Sequence, residues 1–156
     1  MKIIGYFFLF AFVSSVFAEE WHQWRGPRGD GSWDGPVISK TLPEGGLTRI
    51  WKTKAFPGYS GVTVKDGLVY LMDKPDLKNE KGVERVLCLE ASSGKKKWSF
   101  SYPVEYGDMG YGKGPRASIT IWNGKAFGFG ARGMAFALDA RTGREIWIRD
   151  LVKEEK

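Results

Sequence analysis

The sequence predicts an all-β chain built from tandem four-stranded antiparallel units. Three observations predict it. Two hairpins with Asp-Gly or Asn-Gly turns recur with matching flanks. Two Gly-to-Trp hairpins follow them at a fixed offset. Tryptophan then recurs at an interval of just under fifty residues.

The first pair of hairpins is Gly61 to Met72 and Ala117 to Gly128. Each is an alternating apolar run, then Asp66-Gly67 or Asn123-Gly124, then a second alternating run. These dipeptides mark two-residue hairpin turns, because both positions need positive φ. The second pair is Val86 to Trp98 and Ala135 to Trp147. Gly94 and Gly143 lie 49 positions apart, as do Trp98 and Trp147. Trp51 lies 47 positions before Trp98. That period is close to one four-stranded propeller blade. A blade has two faces to cover, and its neighbours cover them. Each of the three indoles is therefore expected to wedge adjacent sheets together.

Strands are expected near residues 47–54, 60–65, 68–73, 85–90, 96–101, 117–122, 125–130, 134–139 and 144–149, with essentially no helix. A polar insert from Pro75 to Gly82 accounts for the longer offset between Gly67 and Gly124. The reading gives two full blades plus one extra outer strand near Trp51, an incomplete propeller.

The N-terminus reads as an address. Met1-Lys2 is a short positive region, and Ile3 to Val13 is almost wholly apolar, with Phe7, Phe8, Phe10 and Phe12. Val16 and Ala18 complete a secretory-signal pattern with cleavage expected after Ala18. The apolar run is short for a span of about 20 residues. An uncleaved anchor is the other reading. The chain thus divides into a signal (1–18), an N-terminal segment (19–46), the blades (47–152) and a tail (153–156). The expected location is periplasmic or secreted.

Composition excludes several classes. The net charge is +6, yet the only tight basic run is Lys95-Lys96-Lys97 beside a turn glycine. It reads as a solvated turn, and no nucleic-acid-binding motif accompanies it. Cys88 is the only cysteine and sits in an apolar run, so it reads as a small buried hydrophobe. His22 is the only histidine. A metal site would need clustered carboxylates, and no spacing of Asp and Glu suggests one.

The stretch Ala137-Leu-Asp139-Ala-Arg-Thr142-Gly143-Arg-Glu-Ile-Trp147 resembles the tryptophan-docking motif of the PQQ-binding-like β-propeller repeat family. Cys88 to Trp98 is a degenerate copy, with Cys for Ala, Glu90 for Asp and Ser93 for Thr. Trp21 to Gly31 and Gly112 to Arg116 are similar to segments of secreted bacterial members. The structural repeat residues are then Trp51, Trp98, Trp147, Gly94, Gly143, Asp139 and Ala137.

A propeller closes with about four to eight blades. Residues 19–156 hold fewer than three periods. A truncated product or N-terminal fragment of a longer chain is therefore expected, with closure by self-association as the alternative.

The resemblance implies two functions. Some relatives are quinoprotein dehydrogenases that oxidise alcohols or sugars with pyrroloquinoline quinone, an ion such as calcium and an Asp base. Some of these also use a vicinal cysteine pair, which this chain lacks. Other relatives are cofactor-free binding platforms in the periplasm, as in the outer-membrane-protein assembly machinery. The expected role is the second: a non-catalytic platform for envelope proteins or a small ligand, with no catalytic residue assigned and no cofactor evident.

The most site-like segment is Tyr106 to Ser118. Its glycines would let a backbone approach a ligand, and Arg116 could fork onto a carboxylate. Tyr111, Arg116 and Ser118 are candidate ligand-binding residues, with Ser60 in the matching loop of the first blade. The plainer reading, an inter-blade connector, is preferred. Arg132-Gly133 reads as a β-turn with Arg132 solvated. Trp21 and Trp24 are expected to close against the last blade.

Overall fold

A computed structural model describes residues 19–35, 40–75, 81–110 and 112–155. The expected signal, residues 1–18, lies outside them.

Both dipeptide turns form as their chemistry requires. Asp66 and Gly67 have φ of 50° and 70°, and Asn123 and Gly124 have 47° and 71°. The first turn joins β1 (Thr63–Lys65) to β2 (Leu68–Asp73). β3 (Lys81–Glu90) and β4 (Lys96–Glu105) complete one sheet. The second turn joins β5 (Thr120–Trp122) to β6 (Lys125–Phe129), followed by β7 (Met134–Asp139) and β8 (Glu145–Asp150). Each sheet is a four-stranded antiparallel meander in sequence order. One helical turn, α1 (Leu151–Glu154), follows; the Asp150 carboxylate caps it by accepting from the Lys153 N–H at 3.3 Å.

The repeat extends to register. Cys88 pairs with Trp98 and Ala137 with Trp147, and each ladder has a bulge at the next position. The turns also match. Gly94 N–H donates to Glu90 O and Gly143 N–H to Asp139 O, both at 2.8 Å. Ser93 Oγ donates to the Glu90 carboxylate, as Thr142 Oγ1 does to Asp139. The Thr142 hydroxyl and backbone N–H hold the Asp139 carboxyl below its ordinary range.

The core lies between the two sheets. The first sheet presents Tyr70, Met72, Val86, Cys88, Trp98 and Tyr102; the second answers with Ile121, Ala126, Phe136 and Leu138. The Phe136 ring sits 5.6 Å from both Phe100 and Tyr102. Gly128, its cross-strand partner, leaves the space the ring occupies. The inner edges also meet: Thr63 Oγ1 donates to Ile119 O at 2.6 Å. Two meanders stacked this way are two blades of a β-propeller that do not close a ring between them.

Trp98 makes the decisive contact. It leaves β4, lies over Gly143 and donates its indole N–H to Ala140 O at 3.0 Å. A Cβ on Gly143 would fall 2.6 Å from the ring, and its φ of 73° already disfavours a side chain. Trp51 repeats the arrangement on Gly94 and donates to Ala91 O at 2.8 Å.

Three expectations change here. Residues 47–54 form no strand. An outer strand takes its ladder from the third strand of its own blade, and no described strand stands beside this segment. What it keeps of an outer strand is the docked indole. Trp147 occupies the place equivalent to Trp98 but is 40% exposed, because no described sheet lies beyond it. It rests on Phe127, with centroids 6.4 Å apart, as Trp98 rests on Tyr70 at 6.0 Å. The third and fourth strands of the first sheet also run longer than expected. Their pairing continues to Lys81 opposite Glu105, which shortens the polar insert.

Trp98→Ala is expected to cost about 3–5 kcal/mol in denaturant unfolding, the range for a buried large aromatic. Trp147→Ala should cost less than half as much, since burial energy scales with area removed from water. Gly143→Ala should destabilise more than Gly124→Ala. Both have positive φ, but nothing lies within 4 Å of a Cβ at Gly124. Parallel melts of the four variants check the ordering.

Candidate functional site

The meander sends the Gly94 and Gly143 turns to one end of the molecule. The end of β2, the start of β3, the described part of the β4–β5 connector and the Arg132 turn lie at the other end. The described polar candidates, Ser60, Arg116 and Ser118, gather at this second end.

The connector folds onto itself. Arg116 donates from Nη1 to Gly114 O at 3.1 Å and from Nη2 to Gly112 O at 3.0 Å. Its guanidinium also lies 5.5 Å from the Tyr59 ring centroid. The neighbouring chain is stitched in by Tyr59 N–H donating to Pro115 O at 2.8 Å. Ser118 Oγ accepts from Gly61 N–H at 3.1 Å, across the gap between blades. Ser60 Oγ donates to Gly61 O at 3.0 Å and accepts from Met72 N–H at 3.3 Å. Arg116, Ser118 and Ser60 thus come together at the inner rim, each bonded to backbone. Tyr111 lies outside the described residues.

Sequence reading missed the buried carboxylate behind this rim. Glu84 on β3 is fully buried. It accepts from Tyr102 Oη at 2.5 Å, Tyr106 Oη at 3.0 Å and Ala131 N–H at 3.3 Å. The last donor belongs to the second blade, so the network crosses the interface. Burial, with the Glu84 charge second, pushes both phenols above the ordinary tyrosine range. The available signal was an inward-facing Glu at a strand position opposite Tyr102. Beside it, buried Asp73 pairs with Arg85 at 2.6 Å and accepts from Phe56 N–H at 2.8 Å. Lys74 lies 5.4 Å from the Tyr106 centroid.

The N-terminal segment runs along the inner edges instead of closing on a last blade. Trp21 O accepts from Val64 N–H and His22 O from Ile121 N–H, both at 2.8 Å. Glu20 accepts from Asp66 N–H and pairs with Lys65. Trp21 covers Gly26, and Trp24 is 67% exposed. The segment satisfies edge groups of β1 and β5 that would otherwise face solvent.

An open cleft of about 530 Å³ lies at this end. Pro103, Val104, Met134 and Val152 give it apolar walls. Lys81 pairs with Glu105 at 2.6 Å and Lys153 with Asp150 at 2.8 Å along its rim. Arg132 also lines it, on the expected turn, which Gly133 N–H closes by donating to Gly130 O at 3.2 Å. Arg132 makes no ion pair among the described residues.

Among the described residues no group of three His, Cys, Asp or Glu side chains converges to hold a metal. Cys88 is buried. No described helix is long and apolar enough to cross a membrane.

No family model matches this chain, and no curated protein matches it. Among solved structures, the crystal structure of BamB from Moraxella catarrhalis is similar at 21% identity and a TM-score of 0.39. The match covers 61% of this chain and 25% of that one, so this chain spans a fraction of that structure's length. The propeller assignment stands on the sheets and their register.

Tyr102→Phe should cost about 1–3 kcal/mol in denaturant unfolding, because it removes one donor from a buried carboxylate. Burial pushes the Cys88 thiol up to about 11 from its ordinary 9.0. Between those values the unfolded chain ionises and the folded one does not, so stability falls as pH rises through that window. A thiol reagent at pH 8 should leave the native protein unmodified and label it on unfolding.

Proposed function

We propose that the chain is an exported, non-catalytic binding platform of the cell envelope. The observation that supports this reading most is the inter-blade cleft. Its apolar walls bury hydrophobic surface, and its rim carries Arg132, which makes no ion pair among the described residues. Its volume falls in the range of ligand-sized pockets, about 300–1,000 Å³. An extended peptide with apolar and acidic side chains fits that chemistry. The apolar groups would meet Val104, Met134 and Val152, and a carboxylate would meet Arg132. The polar groups of the inner rim support the same reading, because they are engaged in holding the connector. The export part of the proposal rests on the signal-like residues Met1 to Ala18.

Titrating the isotope-labelled protein with an octapeptide of alternating Val and Glu tests the cleft. Amide shifts should concentrate at Val104, Arg132, Met134 and Val152. Arg132→Glu should weaken binding at least about tenfold, since a charge-assisted hydrogen bond contributes about 1.5–3 kcal/mol. Absence of shifts at these residues at millimolar peptide, or an Arg132→Glu variant that binds as well as wild type, would overturn the assignment.

A further inference from the structure

The outward face of the second sheet repeats an interface that the chain already makes once. On the first sheet, Tyr70, Cys88 and Trp98 line up across three strands and face the second sheet. On the second sheet, Phe127, Ala137 and Trp147 line up in the same register on the face turned away from that core, with Trp147 40% exposed, Phe127 half-buried and Ala137 buried. Phe129 and Ala135 extend that face as Met72 and Val86 extend the first. Trp122 is 65% exposed on it and Phe129 48%. Exposed aromatics gathered on one face mark an interaction surface.

The structure also shows what such a face docks on. Trp98 takes a turn with a positive-φ glycine and an alanine carbonyl, Gly143 and Ala140. The chain has a second turn of this kind, at Gly94 and Ala91. Trp51 fills it, from a segment with no strand ladder. That segment's other described anchors include Phe56 N–H to Asp73, the Arg85 guanidinium 5.4 Å from the Phe56 ring centroid, and Pro57 O accepting from Lys74 N–H. The flanking Ile50 is 84% exposed. A ladder-bound β8 would deliver Trp147 to the same turn and bring Phe127 and Phe129 with it.

We infer that the outward face of the second sheet docks on the first sheet of a second copy of this chain, with Trp147 entering the Gly94 turn in place of that copy's Trp51. The contact joins two different surfaces, so it propagates head to tail and ends only when a ring closes. With the two described blades in each copy and about four to eight blades per closed propeller, about two to four copies of these residues complete a ring. The Arg132 cleft is not part of this contact.

Sedimentation of the full chain over a hundredfold concentration range tests the inference. Wild type should shift from one copy toward two to four. Trp147→Ala should stay at one copy throughout. Trp51→Ala, which vacates the turn, should associate at a concentration at least about tenfold lower. A peptide of residues 47–57 added to wild type should dissolve the assembly, and this arm does not depend on the folding of any variant. Arg132→Glu should associate as wild type does. The inference is overturned if wild type and Trp51→Ala both remain single copies, if Trp147→Ala associates as wild type does, or if the peptide leaves the assembly intact.

Discussion

A tryptophan laid over a glycine turn ties one sheet to the next, and the rest of the architecture depends on that contact. A flat meander of four strands cannot bury both faces alone. The indole of Trp98 solves this from the outermost strand of the first sheet. It needs a turn without a side chain at Gly143, and it needs an acceptor for its N–H. Ala140 O serves both Trp98 Nε1 and Tyr70 Oη, so one carbonyl uses both of its lone pairs on the neighbouring blade. Leaving either donor buried without a partner would cost about 1–3 kcal/mol.

The opposite end of the same interface is fastened by different chemistry. Glu84 accepts from Ala131 N–H across the interface while two tyrosine hydroxyls of its own blade also donate to it. Between the two fastenings lies the Phe100, Tyr102 and Phe136 ring cluster. The blades are therefore held at both ends by directional bonds and in the middle by apolar packing. Directional bonds at two separated points fix the angle between sheets, which apolar burial alone leaves free. That fixed angle positions the cleft, whose walls come from both blades.

Much of this was legible in the sequence. The hairpin dipeptides fixed where strands begin and end, because few residues tolerate their backbone. The spacing of Gly94, Trp98, Gly143 and Trp147 marked the repeat, because both members of the contact are sterically demanding. Residues 47–54 misled: the local pattern around Trp51 is that of an outer strand, but a strand exists only when a neighbour supplies the ladder. The N-terminal segment misled for a similar reason, since its bonds to Val64 and Ile121 use backbone groups that any sequence carries. The site was less legible still. Arg116, Ser60 and Ser118 were found because of their chemistry, yet their partners are main-chain atoms, and sequence does not reveal those. Glu84 was overlooked because a buried carboxylate looks like a surface one until its donors, one of them 47 residues away, are in place.

Hydrogen exchange of the tryptophan indole N–H groups, followed by NMR at concentrations where the chain is a single copy, tests the central claim most directly. The account predicts slow exchange at Trp51 and Trp98, whose protons are held by Ala91 O and Ala140 O, and fast exchange at Trp147. Trp51 and Trp98 exchanging as fast as Trp147 would contradict it.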